Sequence, residues 1–321
     1  MNQLNRILFN TWSAAFFQKG GGEYQLLHSK EAITALGYNV ELYNQWSPQP
    51  DIDVLHQFSI EPGVEKVIQA YRGLNKKVVT STIMWNLIPK EHPEFLRVRN
   101  IFNLSHYLLT NSDLESKRLS DAFEIPISKF IKTRNAITKH YCLDSNADLF
   151  QKKMNLNHDF ILCVANIDRR KNIKNLVEAA KSIDIPLYTI GHIKDEQYFQ
   201  EFKDIFKNYK HLGAIEDIEF LKSAYCACSA FVLPSMCETP SIAALEAAAQ
   251  GAKIVITKEG STTEYFKNYV SYCNPTELQS IIQGISNELN SNRDSSLKNY
   301  IRETYTWDNT ANDIIGVYKS L

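Results

Sequence analysis

The sequence predicts an α/β protein of two doubly wound domains, residues 1–150 and 151–321. Three observations carry that expectation. At 321 residues the chain is long for one core and comfortable for two. A short apolar run followed by a turn and an amphipathic stretch opens the chain at Ile7-Leu8-Phe9 and opens again at Phe160–Ala165. Phe231–Gly251 then joins an apolar strand, a loop and an Ala-rich helix in the order a doubly wound sheet requires.

Ile7-Leu8-Phe9 reads as the first strand, and a loop from Asn10 to Lys19 leads to the triplet Gly20-Gly21-Gly22. Leu26, Ile33 and Leu36 recur at helical spacing, and Gly37 stops that helix. The G-x-G-x-x-G fingerprint is absent, so the triplet reads either as a ligand-facing loop or as a flexible turn. Val40–Tyr43 is a second strand and Asp53–His56 a third. His56 then falls at a carboxyl strand end, where open sheets place ligands; a structural role is the other reading. Glu65–Tyr71 reads as a helix and Lys77–Ile83 as a strand feeding the loop Met84–Pro89. Tyr107–Ser112 runs into an N-capped helix near Glu115–Phe123, and Lys129–Asn135 closes the first domain.

Residues 138–158 are polar and lysine-containing, as in an interdomain linker. Phe160–Ala165 restarts the pattern, with Asn166–Asn172 as its turn and an amphipathic helix through Lys181. Leu187–Ile190 ends at Gly191, and His211–Ile215 and Glu219–Ala227 lead to Phe231-Val232-Leu233. Pro234 ends that strand because it cannot donate to a sheet ladder. Thr239 is placed as the N-cap of the following helix, with Pro240 in its first position, and Gly251 fits just past its end. Asp313–Leu321 is a final helix assigned to the second domain.

A helix N-terminus at a carboxyl sheet edge suits a phosphate. Glu238 precedes this helix and Glu246 follows eight residues on. A carboxylate beside an anion site is better matched to hydroxyl groups, which together with a diphosphate points to a nucleotide sugar. The alternative is that Glu238 helps cap the helix and Glu246 is solvated. Arg169-Arg170-Lys171 follows closely on a buried strand, either as an exposed basic turn or paired with an anion.

Lys plus Arg (35) and Asp plus Glu (36) give a formal charge of −1, without the basic footprint of a nucleic-acid binder. Six cysteines lack metal spacing; Cys226-x-Cys228 lies in an Ala-rich apolar stretch and reads as small buried side chains. Reduced thiols fit the cytoplasm. Asn10, Thr11 and Gln18 interrupt the first apolar patch, so it does not read as a signal peptide, and no run approaches a membrane span.

The segment P-S-x-x-E-T-P-S-x-x-x-L-E-A-x-A-x-G at 234–251 resembles the E-x7-E segment of retaining, family-4-like glycosyltransferases. Ile254–Thr257, Glu259–Thr262 and Glu264–Phe266 continue the resemblance, and A-N-x-D-x-R-K-N at 165–172 looks like the family's R-K-N turn. The resemblance implies a GT-B architecture, two Rossmann-like domains facing a cleft, with an acceptor-side first domain and a nucleotide-sugar-binding second one. It implies Arg170 and Lys171 at the donor diphosphate, Glu238 at the sugar hydroxyls and Glu246 at the ribose. Thr239, Pro240, Ser241 and Ile242 would meet phosphate, backbone around Gly191 and Ile215 the base, and Gly21 and Gly22 the donor phosphate and acceptor. Asn166 stands where some members carry Arg, and Ser241 where the family usually has Gly. The loop usually written H-D-L-x-P has lost its His, leaving Trp85 and Asn86 there; with His56 they are the acceptor-side candidates.

The resemblance thus implies a retaining hexosyltransferase with no cofactor and no essential metal, in surface polysaccharide synthesis such as lipopolysaccharide or capsule. Its donor would be a GDP- or UDP-linked sugar and its acceptor a glycan or a lipid-linked sugar. It would be cytoplasmic, with room for peripheral contact at the inner face of the membrane or for membership of a larger glycan-assembly enzyme. A nucleotide-sugar epimerase or hydrolase, or a degenerate binding domain, are the alternatives.

Overall fold

The computed structural model describes residues 6–17 and 20–321, so the Gln18–Lys19 end of the first loop lies outside the described residues. It contains two compact units: residues 6–136 with 307–321, and residues 137–306. The final helix, Trp307–Lys319, therefore belongs to the first unit and not to the second, and the boundary expected at 150 falls at 136. Its apolar face explains the difference. Trp307, Ala311, Ile314, Ile315 and Tyr318 are buried against Phe9, Leu26, Ile33 and Val40 of the first unit.

Each unit holds a six-stranded sheet. In the first, β1 (Arg6–Asn10), β2 (Asn39–Leu42), β3 (Val54–Phe58), β4 (Lys77–Ser81), β5 (Tyr107–Thr110) and β6 (Phe130–Lys132) lie in the order β2-β1-β3-β4-β5-β6. Every pairing is parallel, with Ile7 opposite Val40 and Val54. In the second, β7 (Ile161–Val164), β8 (Leu187–Ile190), β9 (Tyr209–His211), β10 (Ala230–Leu233), β11 (Ile254–Thr257) and β12 (Ser271–Cys273) run β12-β11-β10-β7-β8-β9, again parallel. Strands buried on both faces need near-continuous apolar runs, and Ile161–Cys163 and Ala230–Leu233 are buried at every position.

The strand orders locate ligand sites before any side chain is considered. In each sheet the chain winds outward on one side of its first strand, then returns to the other, so the order reverses between β1 and β3 and between β7 and β10. A crevice opens beyond the carboxyl ends at such a reversal, because successive connections leave in opposite directions.

Candidate active site

At the β7–β10 reversal the turn after one strand meets the loop after the other. Asp168 caps a short 3-10 turn, Arg169–Lys171, by accepting a hydrogen bond from Lys171 N at 3.0 Å. Asn172 closes it in the left-handed region, φ 57°, which asparagine tolerates better than most residues. Its side-chain amide donates to the carbonyls of Pro234 (3.0 Å) and Pro275 (2.8 Å), and Met236 N donates to Arg170 O at 2.8 Å. These bonds fasten the turn to the loop after β10. Asn172 is thus a positioning residue that sequence reasoning named only as part of a turn; its place beside Arg170-Lys171 was the signal.

The three cations of the turn separate. Arg169 pairs with Glu201 and lies over the Tyr198 ring, 5.1 Å from its centroid. Arg170 is exposed, with Asp168 at 3.7 Å. Lys171 places Nζ 2.6 Å from Glu238 Oε1, and both side chains are largely buried, 18% and 7% exposed. The glycosyltransferase candidates Lys171 and Glu238, 67 residues apart in the chain, therefore touch.

Glu238 is held by its backbone as well. It pairs as a parallel bridge with Gly260, its N–H donates to Glu259 O at 3.1 Å, and its carbonyl accepts from Ser261 N at 2.9 Å. Beside this bridge, the buried hydroxyls Ser235 Oγ and Ser261 Oγ have no partner within the described protein. Both residues are fully buried, so these are two unpaired hydroxyls inside the loop packing, where buried polar atoms are nearly always satisfied.

The helix expected from Thr239 begins later, at Ile242. Ser241, not Thr239, is the N-cap: its hydroxyl accepts from Ala244 N at 3.3 Å. Pro240 therefore lies ahead of the helix and not in its first turn; the Thr239–Pro240 peptide is cis. Ser241 has φ 87°, a conformation natural to glycine and costing another residue about 1–3 kcal/mol. Exchange of a serine cap for glycine costs only a few tenths of a kcal/mol. Ser241→Gly is therefore expected to stabilise the protein by about 1 kcal/mol, which a denaturant titration measures; a loss of that size would refute the strain argument.

Glu246 sits in the second turn of this helix and keeps partial exposure, yet its carboxyl lies among Tyr225 and Tyr141. Tyr225 donates to Oε2 at 3.2 Å. Desolvation pushes its pKa up to about 8, against the opposing pull of the Tyr225 and Tyr141 hydroxyls. The unfolded chain releases this proton near 4.5 and the folded one near 8, so stability from this group falls as pH rises across that window and is level above it. Glu246→Gln is expected to flatten that slope in thermal melts taken between pH 5 and 8.

The remaining candidates are placed as follows. Asn166 Oδ1 accepts from His192 N at 3.2 Å, tying the turn after β7 to that after β8. Gly191 (φ 151°) lies so near Ala165 that a Cβ would approach its carbonyl oxygen to 2.1 Å, and its N–H donates to Gly213 O. Ile215 is half-buried against the second unit's core. Gly21 and Gly22 form the first turn of the helix Gly21–Ala35, capped by Gly20 and by Glu23, whose Oε2 accepts from Gly20 N at 2.7 Å.

In the first unit, His56 departs from its expected place. The strand runs on to Phe58, so His56 is inside β3 and wholly buried. Its Nδ1 is 2.5 Å from Tyr318 Oη, its Nε2 is 2.9 Å from Ser81 Oγ, and burial pushes its pKa down to about 3. With both ring nitrogens occupied it is a core residue, not an acceptor-side group. Trp85 lies beside Arg118, whose guanidinium is 5.2 Å from the ring centroid, and Asn86 is exposed.

The site thus joins a sheet reversal, a basic turn and a carboxylate on the facing loop. Residues 144–307, just over half of the chain, match the model for the glycosyl transferases group 1 family, and the chain belongs to that family. It is 25% identical over 260 residues to O-antigen chain mannosyltransferase B of Escherichia coli, covering 73% of this chain and 67% of that one. An uncharacterized glycosyltransferase of Methanocaldococcus jannaschii is 27% identical over 189 residues, 53% of this chain; the chain spans about half (47%) of that relative's length. Among solved structures, sucrose-phosphate synthase of Thermosynechococcus elongatus superimposes with a TM-score of 0.80 at 15% identity, covering 98% of this chain and 99% of that one. Anabaena HepE in complex with UDP-glucose gives 0.76 at 15% identity, covering 98% and 100%. The fold is that of the GT-B glycosyltransferases. Among the described residues no helix is long and apolar enough to cross a membrane.

Proposed function

We propose that the protein is a retaining hexosyltransferase, moving a sugar from a GDP- or UDP-linked donor to a glycan or lipid-linked acceptor in surface polysaccharide synthesis. The observation that carries this reading is the Lys171–Glu238 contact at the β7–β10 reversal, with exposed Arg170 beside it. Breaking a sugar–diphosphate bond builds negative charge on the departing diphosphate. Arg170, Lys171 and the N–H groups ahead of Ile242 would meet that charge, which is greatest in the transition state.

Before the donor arrives, Glu238 already holds Lys171. An incoming phosphate then draws on a lysine fixed in position, while the sugar hydroxyls reach Glu238. Glu246 would receive the ribose. The leaving phosphate assists deprotonation of the acceptor, so no protein nucleophile is required, and protein cations take the place of an essential metal. The donor assignment draws on the UDP-glucose of HepE, and the pathway on the O-antigen enzyme's name.

Thermal melts against UDP, GDP, dTDP and ADP, each with magnesium and with EDTA, test the donor site. One nucleotide at a hundredfold excess over its Kd should stabilise the fold by about 2.7 kcal/mol, equally in EDTA. Transfer that disappears in EDTA and returns with magnesium would remove the metal-independent mechanism.

A further inference from the structure

Glu246 is held from behind by side chains to which the donor reading gives no part. Tyr225, wholly buried on the helix Ile218–Ala227, donates its hydroxyl to Glu246 Oε2 at 3.2 Å. Tyr141, also buried, bonds the same carboxyl through its own hydroxyl. The two rings lie 6.2 Å apart, and Tyr225 meets Phe231 of β10 at 5.9 Å.

Tyr141 comes from the stretch expected to be a polar linker, so its burial needs a cause. Gln250, buried one turn past Glu246, donates Nε2 to the carbonyls of Tyr141 (2.7 Å) and Leu143 (3.2 Å). Arg302 ties the same segment to the same helix end, with Nε on Ala249 O and Nη1 on Asp144 Oδ1, both at 2.8 Å. The segment 141–144 is thus fastened by its backbone to the helix whose carboxyl its tyrosine meets. Ordering a long side chain opposes binding unless the protein has ordered it beforehand, and here the carboxyl is fixed in the free protein.

What this carboxyl lacks decides what it can recognise. The groups that act on it are the two tyrosine hydroxyls, and no cation is among them. A phosphate would meet it with nothing to offset either charge. A carboxyl has lone pairs beyond those two tyrosines use, and they are matched by the O–H groups of a ribose. A site built to bond a hydroxyl rejects the analogue that lacks it far more strongly than an apolar pocket rejects a missing methylene. We propose that Tyr141 and Tyr225 are positioning residues that, through Glu246, make the site select a ribonucleoside diphosphate over its 2′-deoxy counterpart. The donor is then a ribonucleotide-linked sugar, and deoxythymidine-linked sugars are rejected. This rests on the placement of the donor in the transferase reading above.

Isothermal titration of the intact chain with UDP and dUDP, GDP and dGDP, ADP and dADP tests the proposal. The ribonucleotide that binds should do so about tenfold or more tightly than its 2′-deoxy form. Tyr225→Phe and Tyr141→Phe, which keep the rings, should each cut that ratio about threefold or more by weakening the ribonucleotide alone. In a Glu246→Ala background neither substitution should change the binding of either form, because the group they act through is gone. Should one variant fail to fold, the other, on a separate segment, carries the measurement. Equal binding of the ribo and deoxy forms by the unaltered protein would overturn the proposal. So would a ratio that survives both substitutions, a loss shared equally by both forms, or an effect that persists without Glu246. If no nucleotide of either kind binds, the donor site itself fails and the proposal falls with it; binding without preference for ribose removes the proposal alone.

Discussion

Lys171→Ala is expected to lower turnover by about 10²–10³, the loss of one charge-stabilising donor, with kcat falling more than the donor's affinity. The geometry makes a second demand on this variant. Glu238 is 7% exposed and its Oε1 is 2.6 Å from Lys171 Nζ, so deleting the lysine strands a nearly buried carboxylate. Breaking such a pair commonly costs about 3–5 kcal/mol, and lost activity could then reflect lost structure. Lys171→Ala/Glu238→Gln separates the two. If it restores the melting temperature yet turns over far more slowly than Glu238→Gln alone, the lysine acts on the reaction; if its turnover equals that of Glu238→Gln alone, it does not.

Gly260→Ala should be severely damaging to the second unit's active-site loops. A Cβ there would lie 2.0 Å from Glu238 O, and φ is 103°. Backbone is on the other side of the collision, so no side chain can swing away. We expect a loss of about 3 kcal/mol or more, combining the left-handed strain with displacement of the bridge. For a unit of this size that corresponds to roughly 6–12 °C in Tm. Because the bridge carries Glu238, donor affinity should fall with it even at temperatures where the protein remains folded. An unchanged Tm would show that the loop 258–261 yields without cost.

Much of this was readable from residues because parallel sheets write continuous apolar runs and glycosyltransferase loops follow them at fixed places. Phe160–Ala165 and Phe231–Leu233 fall where apolar runs put strands, and the turn expected at Asn166–Asn172 follows the first of them. The misreadings have two causes, neighbours distant in the chain and local backbone angles that residue types do not announce. His56 looks like a strand-end ligand until Tyr318, 262 residues later, is found against its Nδ1. Thr239-Pro240 looks like a cap and first turn until Ser241 is seen to close the helix from a left-handed backbone. The clamp of Asn172 on two prolyl carbonyls, one of them 103 residues away, leaves no periodic trace.

The division of the chain at 136 and again at 306 has a consequence for biosynthesis. During translation the first sheet emerges first, but the helix that covers one of its faces follows only after the whole of residues 137–306. At about 5–20 residues per second that interval is roughly 10–30 s. Throughout it Phe9, Leu26, Ile33 and Val40 lack their cover, and His56 lacks its tyrosine. A nascent chain paused between 137 and 306 would therefore display a sticky, half-built sheet, the stage at which a chaperone has most to hold.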